Sequence, residues 1–126
     1  TGDTIRMERI FGSLMRDTLQ NEHLREAGRT VGRLHRSGIV HGDLTTSNMV
    51  MREGRCVLID FGLSGVSSDL EARGVDLHVL FQTLESTTGR FDDLEEAFRK
   101  GYAEVFDQAT EVLAREREIE KRGRYL

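Results

Sequence analysis

Two short motifs constrain this chain more than anything else in it. His41-Gly42-Asp43-Leu44-Thr45-Thr46-Ser47-Asn48 is followed, after a stretch that suits one hairpin, by Ile59-Asp60-Phe61-Gly62. An Asp, an Asn five residues on, and an Asp-Phe-Gly closing a second strand are the side chains that phosphoryl transfer needs. One acid meets an attacking hydroxyl. One amide and one further acid hold magnesium against nucleotide phosphates. Either motif alone is weak evidence, and the two in this order are strong.

The rest of the chain has to place that hairpin. Met49-Val50-Met51 and Val57-Leu58-Ile59 are expected to be short strands, joined by a turn around Glu53-Gly54-Arg55. Ahead of them, Asn21 is expected to cap a helix that carries Leu24, Ala27, Gly28, Val31, Leu34 and His35 at helical spacing and stops at Gly38. Thr4 to Ile10 alternates imperfectly and reads as a strand ended by Gly12. Gly62 to Gly74 is irregular and polar. Leu77, Leu80, Phe81 and Leu84 form the next helical stripe. Leu94, Ala97, Phe98, Gly101 and Tyr102 form another, which Val105 to Leu113 continues. The expected fold class is α+β and mainly helical, a single domain over residues 1–126 with one small catalytic β-hairpin.

Composition removes other classes. At 37% hydrophobic and 32% charged, the chain suits a globular core rather than disorder. No apolar run nears membrane-spanning length and no signal peptide opens the sequence, so no membrane partner is expected. The single Cys56 excludes an internal disulfide and a multi-cysteine zinc site, fits a reducing, cytoplasmic setting, and by its apolar flank is expected to be a buried strand residue. A net charge of −4 does not mark the whole chain as a nucleic-acid binder.

Within the motifs, Asp43 is the candidate catalytic carboxylate, able to orient a hydroxyl and accept its proton. Asn48 and Asp60 are the candidate magnesium ligands, a neutral carbonyl and a charged carboxylate held in register by the hairpin. The bland alternative is an Asx-rich turn with capping side chains. His41 is read as structural rather than as an acid-base group. His23, His35 and His78 have no partners visible in sequence and are read as no one's ligands. Asp76 is either a helix-N-terminal acid offsetting the dipole or a buried acid bonding the catalytic-loop backbone.

These residues resemble the large, C-terminal lobe of a protein-kinase-like fold, and more narrowly the small atypical kinase of the KEOPS complex, the PRPK-type family. The matching stretches are His41 to Met49, Leu58-Ile59-Asp60-Phe61-Gly62-Leu63-Ser64, Gly74 to Leu80, and the closing Arg122-Gly123-Arg124. The resemblance runs from Met7 to Arg124. It implies a hinge strand at residues 4–12, with the backbone of Glu8 and Ile10 meeting adenine and Val50 in the floor under the base. It implies ATP and magnesium as cofactors and favours the buried reading of Asp76. It also implies docking on the KEOPS threonylcarbamoyltransferase subunit beside other KEOPS subunits, in service of threonylcarbamoyl-adenosine modification of tRNA. The basic tail, Arg122 and Arg124 above all, would then lie near tRNA or partner carboxylates, with Gly123 turning tightly between them.

Departures from ordinary protein kinases are equally informative. Gly42 replaces the Arg of His-Arg-Asp, so a phosphorylated activation loop has no arginine there to pair with. Thr45 stands where a Lys is usual. Proline is absent, so there is no Ala-Pro-Glu and no peptide-seating platform of the usual kind. The glycine-rich loop and phosphate-binding Lys expected upstream of a hinge are not among these residues. The family role implied is closer to an ATPase switch than to a dedicated serine/threonine-protein kinase. Two alternatives stand beside it: an aminoglycoside- or choline-kinase-like small-molecule phosphotransferase, and a non-catalytic docking module.

Overall fold

The computed structural model describes residues 12–124. The expected strand at Thr4–Ile10, with the hinge positions Glu8 and Ile10, lies outside the described residues. In chain order the elements are β1 (Ser13–Leu14), a single 3-10 turn (Met15–Asp17), α1 (Asn21–Arg36), β2 (Ile39–Val40), a second 3-10 turn (Thr46–Asn48), β3 (Met49–Arg52), β4 (Arg55–Leu58), β5 (Gly65–Val66), α2 (Leu70–Thr87), α3 (Phe91–Val105) and α4 (Ala109–Arg124). β1, β3 and β4 form one antiparallel sheet in that order, and β2 pairs antiparallel with β5.

α1 and α3 pack closely because glycines line their crossing. A Cβ at Gly28 would run into the Phe98 carbonyl, and one at Gly101 into the Arg25 carbonyl. Both glycines fall on the apolar stripes seen in the sequence, so the backbones meet where the core needs them to. An aromatic column fills the space below. Phe81 and Phe98 meet edge to face at 5.6 Å, Phe98 stacks on Tyr102 at 5.9 Å, and Tyr102 meets Phe106 at 5.5 Å. From the hairpin, Met49 and Met51 enter this core, whereas Val50 is buried on the opposite face and stands apart from it. That alternation follows from the period of a strand.

Four local expectations need correction. Asn21 is the first helical residue of α1; Gln20 is the cap, extended and without a side-chain cap bond. α2 begins at Leu70, capped by Asp69, so the stretch read as irregular up to Gly74 is partly helix. Gly74 is tolerated there because a Cβ would press on Arg115 and Ile119 of α4. The stripe from Leu94 to Leu113 is broken between α3 and α4, where Phe106 turns extended and buries its ring against Tyr102. The strand read at Val57–Ile59 lies at Arg55–Leu58, although the Ile59 N–H still donates to the Asn48 carbonyl at 2.9 Å. Cys56 is buried in β4, and burial pushes its thiol up to about 12.

One carboxyl lies inside the helical layer. Glu95 of α3 is 6% exposed; its Oε1 meets Arg99 at 3.2 Å and its Oε2 has no hydrogen-bond partner. Burial pushes this carboxyl up to about 8, and Glu85 of α2 and Glu116 of α4 add to the rise. A group that holds its proton more tightly when folded stabilises the fold at low pH. That contribution is lost as pH climbs from the ordinary carboxylate range towards 8. Urea melts between about pH 5 and pH 9 should therefore show stability falling with pH, and Glu95→Gln should flatten that slope. Equal slopes in the two proteins would contradict a protonated Glu95.

Candidate functional site

The site begins where α1 stops. Gly38, at φ +85°, takes the left-handed turn past the C-cap that ends the helix, and β2 leads directly into His41. Gly42 follows at φ +92°, and a Cβ there would run into the Leu63 carbonyl. The residue that replaces the usual arginine is thus required by this backbone: a side chain would meet both a strained dihedral and the next segment of chain.

The loop is held from below by Asp76, on the second turn of α2 and 2% exposed. Its Oδ2 accepts from the His41 N–H at 2.8 Å and from His35 Nε2 at 2.9 Å, and its Oδ1 accepts from the Gly42 N–H at 2.9 Å. Burial on its own would raise the Asp76 carboxyl; the bonds from His35, Gly42 and His41 outweigh it and hold the group below its ordinary value. His35 is fully buried, and its Nδ1 lies 2.7 Å from the Tyr102 hydroxyl. The carboxylate can only accept, so Nε2 donates to it, and the ring is held between Asp76 and Tyr102. Arg73, one turn before Asp76 and also buried, donates to the His35 carbonyl at 2.9 Å and lies over the Phe106 ring at 5.0 Å.

His35, Tyr102 and Arg73 were not singled out in the sequence. The available signal was a histidine on the apolar stripe of α1, and its partners come 41 and 67 residues later. No spacing rule reaches that far. The sequence shows no partner for His35; the folded chain supplies Asp76 and Tyr102.

Above the loop, His41 ties two strands of the site together. Its Nε2 donates to the Ile59 carbonyl at 2.8 Å, its Nδ1 accepts from the Asp43 N–H at 3.1 Å, and its ring meets Phe61 at 4.6 Å. Asn48 directs its amide nitrogen at Asp43, to the carbonyl at 2.9 Å and to Oδ2 at 3.1 Å. The amide orientation follows from those two acceptors, and it leaves Asn48 Oδ1 as the atom free to face a cation. Across the hairpin, the Asn48 carbonyl accepts from the Ile59 N–H at 2.9 Å, which fixes Asn48 beside the residue before Asp60. Asp60 is exposed and adopts φ +58°, a left-handed conformation uncommon for a residue with a side chain.

These donors suit magnesium. Among the described residues no three His, Cys, Asp or Glu side chains gather as an all-protein metal cage. A carboxylate at Asp60 and an amide oxygen at Asn48 are the kind of sparse oxygen donors that such sites complete with phosphate and water.

The tail behaves differently from the site. α4 runs through Gly123 to Arg124, so the tight turn expected at Gly123 is helix instead. Arg122 donates to Glu71 Oε2 at 2.6 Å while Arg115 donates to Oε1 at 3.2 Å. Bonding to Arg122 above all holds the Glu71 carboxyl below its usual value.

Comparison with known proteins gives the family. The family model described as lipopolysaccharide kinase (Kdo/WaaP) matches residues 7–102. The chain is 64% identical over its whole length to a probable bifunctional tRNA threonylcarbamoyladenosine biosynthesis protein of Methanoculleus marisnigri, covering 24% of that protein. It is 41% identical to a probable serine/threonine-protein kinase BUD32 homolog of Archaeoglobus fulgidus, with 98% of this chain and 63% of the relative aligned. It is 47% identical to the KEOPS complex subunit Bud32 of Pyrococcus abyssi, with 94% and 59% aligned. The chain thus spans about a quarter of the bifunctional relative and about three fifths of the other two.

Asp76→Asn keeps the shape and removes the charge, and it turns an amide N–H₂ towards backbone or ring donors. It should cost about 2–4 kcal/mol of stability. It should also release the His41 and Gly42 amides to hydrogen exchange. Denaturant melts with exchange mass spectrometry provide the check, and unchanged protection of those two amides would contradict the role.

Proposed function

This chain belongs to the lipopolysaccharide kinase (Kdo/WaaP) family, and from that premise we propose that it is the C-terminal lobe of an ATP- and magnesium-dependent atypical kinase or ATPase of the KEOPS type, serving threonylcarbamoyl-adenosine modification of tRNA. The observation that carries the reading is the contact of Asn48 with Asp43 on a hairpin that also presents Asp60. Bound ATP with magnesium would supply the transferable phosphoryl group and neutralise its charge. Asp43 orients the attacking hydroxyl or water and takes its proton. Asn48 Oδ1 and the Asp60 carboxylate hold the metal. His41 and Asp76 keep the loop in place. Glu8 and Ile10 serve adenine through their backbone, and Val50, buried on the hairpin face away from the core, lies under the base.

The setting proposed is cytoplasmic; among the described residues no helix is long and apolar enough to cross a membrane. The partner proposed is the KEOPS threonylcarbamoyltransferase subunit. Leu63, Val66 and Val75 support this, being 70%, 92% and 42% exposed around the segment after Asp60, where apolar side chains gain by being covered. Arg122 and Arg124 remain the tail residues proposed to face tRNA, although a ligand must compete with Glu71 for Arg122. Because no glycine-rich loop or phosphate-binding Lys is among these residues, phosphoryl transfer by the chain alone is expected to be negligible. A small-molecule phosphotransferase is the second reading, favoured by the description of the family model. The relatives named for tRNA modification, at higher resemblance across the whole chain, favour the first.

Asp60→Asn should weaken magnesium-dependent nucleotide binding far more than metal-free binding, since it removes a charged ligand from a divalent cation. Calorimetric titration with and without magnesium measures this, and equal losses would sink the metal role. Asp43→Ala, in a protein that joins this lobe to an intact small lobe, should leave ATP affinity nearly unchanged. Turnover should fall by about two or more orders of magnitude. Unchanged turnover would reduce Asp43 to a structural residue.

A further inference from the structure

Four arginines, Arg25, Arg29, Arg33 and Arg36, recur along one stripe of α1. The fold treats them unequally. Arg25 and Arg29 both pair with Glu104 of α3, and Arg36 donates to the Val105 carbonyl at 3.2 Å. Arg33 is exposed, and its side chain makes no hydrogen bond or ion pair with any described residue.

Arg33 lies on a groove of about 750 Å³ between α1 and the tip of the β3–β4 hairpin, where Arg55 stands on the other side. The groove has a firm floor, because Thr30 Oγ1 donates to the Cys56 carbonyl at 3.2 Å and pins helix to strand. Arg55 is itself paired across the hairpin with Arg52. Two like charges directly opposed on a strand pair destabilise it. Neither arginine has a carboxylate partner among the described residues. Glu26 and Glu53 also line the groove, but Glu26 is held by Arg29 at 3.4 Å. A net-acidic chain therefore keeps two guanidiniums without an ion pair, Arg33 and Arg55, on one groove beside Glu53, with Arg52 opposite Arg55 on the hairpin.

We propose that this groove binds the sugar-phosphate backbone of an RNA strand, with Arg33 and Arg55 on successive phosphates and Arg52 extending the track. The inference rests on the tRNA reading above and names a surface for it other than the tail. The guanidiniums are exposed and come from two elements, and no buried charged donor closes around a single anion. That suits several solvated, salt-sensitive phosphate contacts rather than one enclosed phosphate. It also suits a repeating polyanion better than a short acidic peptide. The hairpin gripped at this end carries Asn48 and the approach to Asp60 at its other end.

The test is fluorescence anisotropy of labelled, unmodified tRNA titrated with the purified chain over a range of salt. Arg33→Gln combined with Arg55→Gln should weaken binding about tenfold at low salt. It should also reduce the slope of log affinity against log salt by about 1.5, as for two lost phosphate contacts. Arg52→Gln should give a smaller loss of the same kind. All three side chains are exposed and unpartnered, so far-UV circular dichroism should be unchanged. An unaltered affinity and salt slope in the double variant would overturn the proposal. So would displacement of tRNA by polyglutamate at equal charge concentration, which would assign the groove to an acidic protein segment. Magnesium-dependent ATP binding, measured on the same proteins, tests the catalytic reading separately. If it fails while the double variant still loses tRNA, the groove stands and the catalytic reading falls.

Discussion

The Asp76 carboxylate is the point on which the site depends. It is almost wholly buried and accepts three hydrogen bonds, two from loop amides and one from His35. A buried carboxylate without such partners would be costly; with them it stays charged and sets where the loop can lie. Remove it and the backbone amides of His41 and Gly42 lose their described acceptor, and the loop carrying Asp43 loses its reference to the helical core. The second tier, Tyr102 on His35 and Arg73 on the His35 carbonyl, ties that carboxylate to α1, α2 and α3 at once. The loop carrying Asp43 is irregular, yet its position is dictated by the packed helical core.

The hairpin supplies what the loop cannot. Its paired strands hold Asn48 against Ile59, and His41 bonds the Ile59 carbonyl from the other side. Asp60 leaves this clamp in a left-handed conformation, the kind of local strain that persists only where neighbours over-determine the backbone. Gly42 is the complementary case, a position where positive φ and the Leu63 carbonyl leave room for no side chain. The missing arginine of the loop thereby acquires a steric cause in addition to a functional consequence.

Charge is distributed in a way that composition conceals. The basic tail is partly neutralised, since Arg122 and Arg115 share Glu71. Arg25 and Arg29 share Glu104. Arg33 and Arg55, at the groove between α1 and the hairpin tip, have no such partner among the described residues. Ion pairs on exposed faces are worth little to stability, so their main effect here is to decide which arginines stay available to a partner.

Much was legible from residue order alone. Helical spacing located α1 and the stripe of α2, the Glu53-Gly54 turn located the hairpin, and the apolar flank of Cys56 put it inside. Asp43, Asn48 and Asp60 were proposed together because phosphoryl transfer needs such groups in that order, and the structure brings Asn48 onto Asp43. These are local properties, carried by periods of two and 3.6 residues and by turn chemistry. The early start of α2, the break at Phe106 and the two-residue strand β5 were not legible, because each is settled by packing against a distant element. The same holds for His35, which the sequence shows only as one more residue on an apolar stripe. Its alliance with Asp76 and Tyr102 required three helices to converge, and a buried polar group finds its partner across space rather than along the chain. The sequence by itself determined the motifs and most of the elements that carry them. Tertiary structure decided which carboxylate anchors the loop and which arginines stay free, since hydrogen bonds and ion pairs depend on distances that only the folded chain creates.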